Sequence, residues 1–94
     1  MSRTKQVLDS DYEKIPQRIE WKIVLRILGF LRYNDSSKKT HISMTCNLGY
    51  KRCVQYLNWL KLMDLIKIDE DENSSYLISM NERGTELIIK SQNR

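Results

Sequence analysis

The chain has 94 residues and a mass of 11.3 kDa, with 40% hydrophobic and 30% charged residues. A chain of this length buries roughly 60–65% of its unfolded surface, which suffices for one small core. The composition is too apolar for a disordered chain, and 3 glycines with 1 proline exclude collagen-like and linker-like sequences. No apolar run approaches the ~20 residues of a membrane-spanning helix, and the N-terminus lacks a secretory signal. We therefore expect a single-domain cytoplasmic protein with no membrane partner.

Residues that carry chemistry are sparse. Cys46 and Cys53 are the only cysteines and His41 is the only histidine, so neither a disulfide framework nor a zinc cluster is expected. The sequence also lacks a Gly-rich phosphate loop, a GxSxG motif and a carboxylate pair beside a base. We expect no catalytic residue, metal, cofactor or small-molecule ligand, and hence no enzyme. Both cysteines fall at apolar positions, which favours buried, unreactive thiols over a redox switch.

The charge is unevenly distributed along the chain. The formal net charge of +4 is the sum of zero over 1–15, +7 over 16–67 and −3 over 68–94. A basic middle with an acidic final third indicates one face built for a polyanion. Lysine and arginine side chains that merely solvate helices would give the same excess.

Residues 1–15 are predicted to form an N-terminal arm or a short helix, and a domain is expected over 16–92. Leu8, Tyr12 and Ile15 have helical spacing, but the pattern is weak. We therefore keep both interpretations of this segment.

A strongly amphipathic helix is predicted from Gln17 to Tyr33. Pro16 suits its first turn, where no backbone N–H is needed. A loop over 34–37 ends the helix. The apolar stripe comprises Ile19, Ile23, Val24, Ile27, Leu28 and Leu31.

Two further helices with a short break between them are predicted next. The first spans 38–46 with Ser37 as its N-cap, and the break covers 47–49, where asparagine and glycine tolerate positive φ. The second spans about 50–63. Its predicted inner face comprises Tyr50, Cys53, Tyr56, Leu57, Leu60 and Met63.

After residue 64 the spacing of apolar residues changes from the period of a helix to the alternation of a strand. Alternation predicts strands over 65–69 and 76–80, joined by a polar turn, and Asn81 caps a last helix over 82–92. The fold class is therefore mainly α with a small β-hairpin, in the order helix-helix-helix-hairpin-helix. A helix pair with a short turn followed by a hairpin is the winged helix-turn-helix plan.

Five motifs sharpen this plan into a family resemblance. They are Lys39-Thr40-His41-Ile42, Asn47-Leu48-Gly49-Tyr50, Tyr56-Leu57-Asn58-Trp59-Leu60, Leu65-Ile66 and Asn81-Glu82-Arg83-Gly84-Thr85-Glu86-Leu87. In order and spacing, the stretch 18–90 resembles the archaeal winged-helix DNA-binding proteins, which include small dimeric chromatin-type proteins and transcription regulators. The resemblance implies a homodimer that binds double-stranded DNA.

The helix over 50–63 is the candidate reading helix for the major groove. Lys51, Arg52 and Gln55 near its start, and Asn58 one turn on, are of types that hydrogen-bond base edges. The other interpretation is a solvated amphipathic helix that is polar on its outer side.

The start of the preceding helix is the candidate phosphate contact. Lys38, Lys39 and Thr40 lie where free N–H groups and a positive dipole suit an anion, and the resemblance implies that this helix crosses the DNA backbone. The other interpretation is a lysine pair in a solvated loop.

Two features favour a different function, a winged-helix protein-interaction module in a larger assembly. The turn over 69–72 is acidic where a DNA-gripping hairpin is usually basic. Trp59 and Leu62 lie on or near the exposed side of their helix, where they either pack on the hairpin or belong to a protein contact. The fold alone does not separate these functions.

Overall fold

The computed structural model describes residues 14–73 and 75–92. Four helices and three strands follow one another along these residues. They are α1 (Trp21–Tyr33), β1 (Ser37–Lys38), α2 (Lys39–Thr45), α3 (Tyr50–Leu62), β2 (Ile66–Glu70), β3 (Tyr76–Met80) and α4 (Glu82–Gln92). The predicted fold class is confirmed. Residues 1–13 of the predicted N-terminal segment 1–15 lie outside the described residues.

The strands form one antiparallel sheet in the order β1-β3-β2. The hairpin β2–β3 was predicted, and it pairs Ile66 with Met80 and Glu70 with Tyr76. The strand β1 was not predicted, and it pairs Ser37 with Ile78. The prediction of Ser37 as an N-cap is therefore wrong, because Lys38 holds the cap position of α2 and the Ser37 hydroxyl donates to the carbonyl of Asn34 (2.6 Å) instead of accepting from an α2 amide.

Helix α1 begins at Trp21, four residues later than predicted, and Pro16 lies outside it. The delay has a tertiary cause. The hydroxyl of Tyr56 accepts from the backbone N–H of Glu20 (3.0 Å) and donates to the carbonyl of Arg18 (3.2 Å). These bonds hold the backbone before α1 in a non-helical path along α3.

The core lies between α1, α2, α3 and the sheet. Five of the six stripe residues predicted for α1 are buried, and Ile19 is half-buried at the edge of the core. Both cysteines are buried, as predicted. The other buried apolar side chains are Ile42, Tyr56, Leu57, Leu60, Leu65, Ile66, Ile78 and Ile88.

The break between α2 and α3 forms as predicted at Asn47, whose φ is 57°. Gly49 is the N-cap of α3 without a side-chain cap, and its φ of −59° needs no glycine. The prediction that Tyr50 and Met63 face inward is wrong, since they are 53% and 42% exposed. Each lies at an end of α3, beyond the elements that cover the middle of the helix.

Helix α3 ends at Leu62, and Asp64 just beyond its C-cap has a φ of 61°. The Leu65 amide donates back to the Leu60 carbonyl (2.9 Å), which is the pattern of a Schellman motif. Because Leu65 completes this motif, β2 begins one residue later than predicted. The predicted cap of α4 is confirmed, since the side-chain oxygen of Asn81 accepts from the Gly84 amide (3.1 Å).

Candidate nucleic-acid interface

The predicted phosphate contacts lie where β1 runs into α2. Lys38 is the last residue of β1 and pairs with Leu77, so its position is fixed by the sheet. Lys39 is the first residue of α2, and its Nζ lies 5.2 Å from the centroid of the Tyr76 ring on β3, a cation–π contact. Lys38 and Thr40 are exposed. Their ammonium and hydroxyl groups are therefore open to an anionic partner.

These residues share a surface with the first turn of α3. A shallow cleft of about 340 Å³, which we call the basic cleft, is lined by Lys38, Lys39, Thr40, Tyr50, Ser75 and Tyr76. Neither tyrosine was predicted as a site residue. Tyr50 was assigned to the core, and Tyr76 carried no signal because its neighbours come from α2 and α3, distant in sequence.

The predicted base-reading residues of α3 all border the backbone that precedes α1. Lys51, Arg52 and Gln55 line one open cleft with that backbone, and Asn58 contacts it at Lys14. Lys51 is exposed next to Tyr50, which lines both this cleft and the basic cleft. None of the four predicted base-reading residues lines the basic cleft itself.

The backbone over residues 14–20, which we call the strap, binds two of these side chains. A guanidinium nitrogen of Arg52 donates to the Glu20 carboxylate (2.6 Å), and the side-chain amide of Asn58 donates to the Lys14 carbonyl (2.8 Å). Gln55 lies between them and, with Pro16, lines an open cleft of about 1150 Å³. Sequence patterns cannot reveal these contacts, since they join residues more than thirty positions apart.

The acidic turn of the hairpin adjoins the basic cleft through β3. Glu70 pairs with Tyr76, which lines the cleft. Asp71 closes the turn, because its side-chain oxygen accepts from the amides of Asn73 and Ser75 (2.9 Å each). One of the predicted tip charges therefore has a structural role, while Glu70 and Glu72 are exposed.

The surroundings of both cysteines favour the protonated thiol. Burial raises the pKa of Cys53 to about 11. Burial also raises the pKa of Cys46, although the positive charge of Arg26 acts to lower it. Both thiols therefore stay protonated at neutral pH, and the thiolate is the reactive form. Within 14–73 and 75–92, no three His, Cys, Asp or Glu side chains are arranged so that they could hold a metal ion.

A second surface lies around Trp59, on the side of α3 away from the basic cleft. The Trp59 ring packs edge-to-face on Trp21 with centroids 6.3 Å apart. These rings, with Met63 and Leu87, line a mainly apolar groove of about 370 Å³ between α1, α3 and α4, which Arg83, Glu86 and Lys90 also border. Trp59 thus packs mainly on α1 and α4, whereas Leu62 is 69% exposed.

Residues 17–94 match the winged helix-turn-helix family. The chain belongs to this family. Comparison with curated proteins found no match. No helix among the described residues has the length and apolar character needed to cross a membrane.

Solved structures show the same winged-helix fold at low sequence identity. The transcriptional repressor CouR, bound to a 23-mer DNA duplex, has a TM-score of 0.68 and 17% identity over 72% of this chain and 49% of CouR. A MarR-family regulator from Silicibacter pomeroyi has a TM-score of 0.69 and 15% identity over 72% of this chain and 47% of its own. MepR, which regulates the Staphylococcus aureus efflux pump MepA, has a TM-score of 0.67 and 19% identity over 95% of this chain and 65% of its own. The chain thus spans about half the length of the first two proteins.

Proposed function

We propose that this winged-helix protein binds double-stranded DNA as a homodimer and acts as a transcription regulator or chromatin-type protein. The observation that carries the proposal is the basic cleft, which joins Lys38, Lys39 and Thr40 to Tyr50 at the start of α3. A helix that enters the major groove needs phosphate contacts beside its N-terminal end to fix its register. The basic cleft provides such groups in that position.

The mechanism is binding alone. Lys38 and Lys39 displace counterions from the phosphates, which supplies affinity for any sequence. Lys51, on the first turn of α3, contacts base edges or the phosphates that flank them. The fold shared with CouR, which was solved on a DNA duplex, supports this function. A role on DNA also fits the cytoplasmic location expected from the sequence.

The deciding experiment is a salt titration of binding to a fluorescent random-sequence duplex. The double substitution Lys38→Gln with Lys39→Gln should weaken binding to random and preferred sequences equally. It should also make the negative slope of log K against log salt shallower by about two units, since each phosphate contact contributes about 0.9. Circular dichroism checks that both proteins are folded.

The matched control removes two lysines outside the basic cleft, Lys22→Gln on α1 with Lys90→Gln on α4. Both lysines are exposed, so the net charge changes equally. The control should leave the slope nearly unchanged. Binding without salt dependence, or an equal loss of slope in both double variants, would contradict the assignment of the basic cleft to phosphates.

The second candidate function is a protein-interaction module. Two observations favour it, the apolar groove beside Trp59 and the exposed carboxylates of Glu70 and Glu72. Absence of any retention on heparin or duplex DNA at low salt would favour this function over DNA binding.

A further inference from the structure

The strap binds α3 through three side chains of that helix. Arg52 pairs with the Glu20 carboxylate, Tyr56 holds two backbone groups of the strap, and Asn58 donates to the Lys14 carbonyl. The contacts are spread along almost two turns of α3. They fix the strap at both of its ends and not at a single point.

The groups that the strap occupies are donors that nucleic acid would otherwise use. A guanidinium nitrogen of Arg52 and the amide of Asn58 are suited to the acceptors on base edges. In this structure the guanidinium nitrogen faces a carboxylate and the amide faces a peptide carbonyl. Lys51 lines the open cleft beside the strap and remains exposed.

We infer that the strap is an autoinhibitory element that closes one side of the reading helix, so that full engagement of DNA requires its displacement. The inference rests on the proposed function of α3. The basic cleft is open while the strap is closed, and initial contact with phosphates is therefore unaffected. Displacement then adds Arg52 and Asn58 to the interface.

The Glu20 carboxylate competes with DNA for the guanidinium group of Arg52. Both members of the pair are about half exposed, with side-chain exposures of 51% and 46%. Exposed pairs of this kind are weak, and a guanidinium binds a phosphate or a guanine edge at least as well. The strap is therefore a barrier that DNA can overcome, and its release should change affinity by a few-fold.

The cleanest test is Tyr56→Phe, which releases the strap without changing any charge. The ring of Tyr56 is 1% exposed, and phenylalanine preserves its packing in the core. The variant loses only the hydroxyl that holds the backbone of Arg18 and Glu20. We expect it to bind duplex DNA about three- to tenfold more tightly than the unaltered chain, because two tethering hydrogen bonds no longer oppose displacement.

The second variant, Glu20→Gln, removes the competitor charge at an exposed position. We expect about two- to fivefold tighter binding, in keeping with an exposed ion pair. Glu86→Gln on α4 is the matched control, since it changes the net charge equally on an exposed residue away from the strap. The control should change affinity by less than about 1.5-fold. In an Arg52→Gln background, Glu20→Gln should behave like the control.

The outcomes separate the two proposals. Weaker or unchanged binding in both Tyr56→Phe and Glu20→Gln overturns autoinhibition while leaving DNA binding intact. Equal tightening by Glu20→Gln and Glu86→Gln would show that the change in net charge causes the effect, and this result also overturns autoinhibition. If neither the unaltered chain nor any variant binds duplex DNA, both proposals fail. Binding that appears only in the released variants supports both.

Discussion

Gly84 sets how closely α4 approaches the sheet. A Cβ atom at this position would lie against the carbonyl oxygen of Leu65 and 2.7 Å from Cγ of Met80. The Leu65 carbonyl is backbone and also accepts from the Asn81 amide (3.2 Å), so it cannot simply move aside. Only glycine allows the first turn of α4 to pack here.

We expect Gly84→Ala to lower the free energy of unfolding by about 1–3 kcal/mol through overpacking. In a domain of this size each kcal/mol lowers Tm by roughly 4–8 °C, which a thermal melt resolves.

Gly29→Ala is the matched control, because a Cβ atom at Gly29 meets no heavy atom within 4 Å. It lies inside α1 and should raise stability by about 0.5–1 kcal/mol. A Gly84→Ala protein as stable as the Gly29→Ala protein would show that α4 can shift away from Leu65.

Among the elements, those with a sustained period were predictable from the sequence. α3, the hairpin β2–β3 and α4 each repeat their apolar pattern over several turns or pairs, and their predicted bounds agree to within one or two residues. β1 has two residues and no period of its own, and it exists because β3 offers a free edge. The predicted start of α1 was wrong for a similar reason. The hydroxyl of Tyr56 binds the backbone of Glu20 and keeps it out of the helix, although the sequence there has a helical pattern.

The candidate site was predictable where it depends on residues that are close together in the sequence. Lys38, Thr40 and Lys51 are exposed at helix starts, as their positions predict. The covering of Arg52 and Asn58 depends on the strap, and the place of Tyr76 depends on the pairing of β1 with β3. Such contacts are fixed by the tertiary fold and produce no periodic pattern in the amino-acid sequence.

The acidic turn belongs to the hairpin as an element, and it gives a prediction. Glu70→Gln with Glu72→Gln should tighten duplex binding about two- to fivefold at low salt, because exposed carboxylates beside the basic cleft repel phosphates within a Debye length of about 10 Å at 0.1 M. The gain should shrink as salt rises. Asp71 is left unchanged because it closes the turn.

Fluorescence anisotropy over a salt series measures this effect. Glu82→Gln with Glu86→Gln, on α4, alters the net charge by the same amount and should have a smaller effect. Distinctly weaker binding of the Glu70→Gln, Glu72→Gln protein would mean that these carboxylates engage the DNA complex directly.

At the scale of the whole molecule, the proposed function gives each copy one reading helix and therefore one half-site. In the proposed homodimer, two copies related by a twofold axis would place two such helices about 34 Å apart, one turn of DNA. Sedimentation equilibrium should give twice the chain mass of 11.3 kDa at micromolar concentration. A duplex with two half-sites one turn apart should then bind two chains. A single-chain mass at all concentrations, with one chain on each duplex, would contradict the homodimer.

The pairing of β1 with β3 has a consequence for the order in which the protein folds and opens. The hydroxyls of Ser36 and Ser79 meet at 3.3 Å although they lie 43 positions apart in the chain, whereas α2–α3 and β2–β3 join neighbours. A two-residue strand gains few contacts against the entropy of closing so long a loop, so it forms late and opens early. Lys38 and Lys39 lie on this short, non-local junction. We therefore expect the residues assigned to phosphates to be held by a part of the fold that assembles late and opens early.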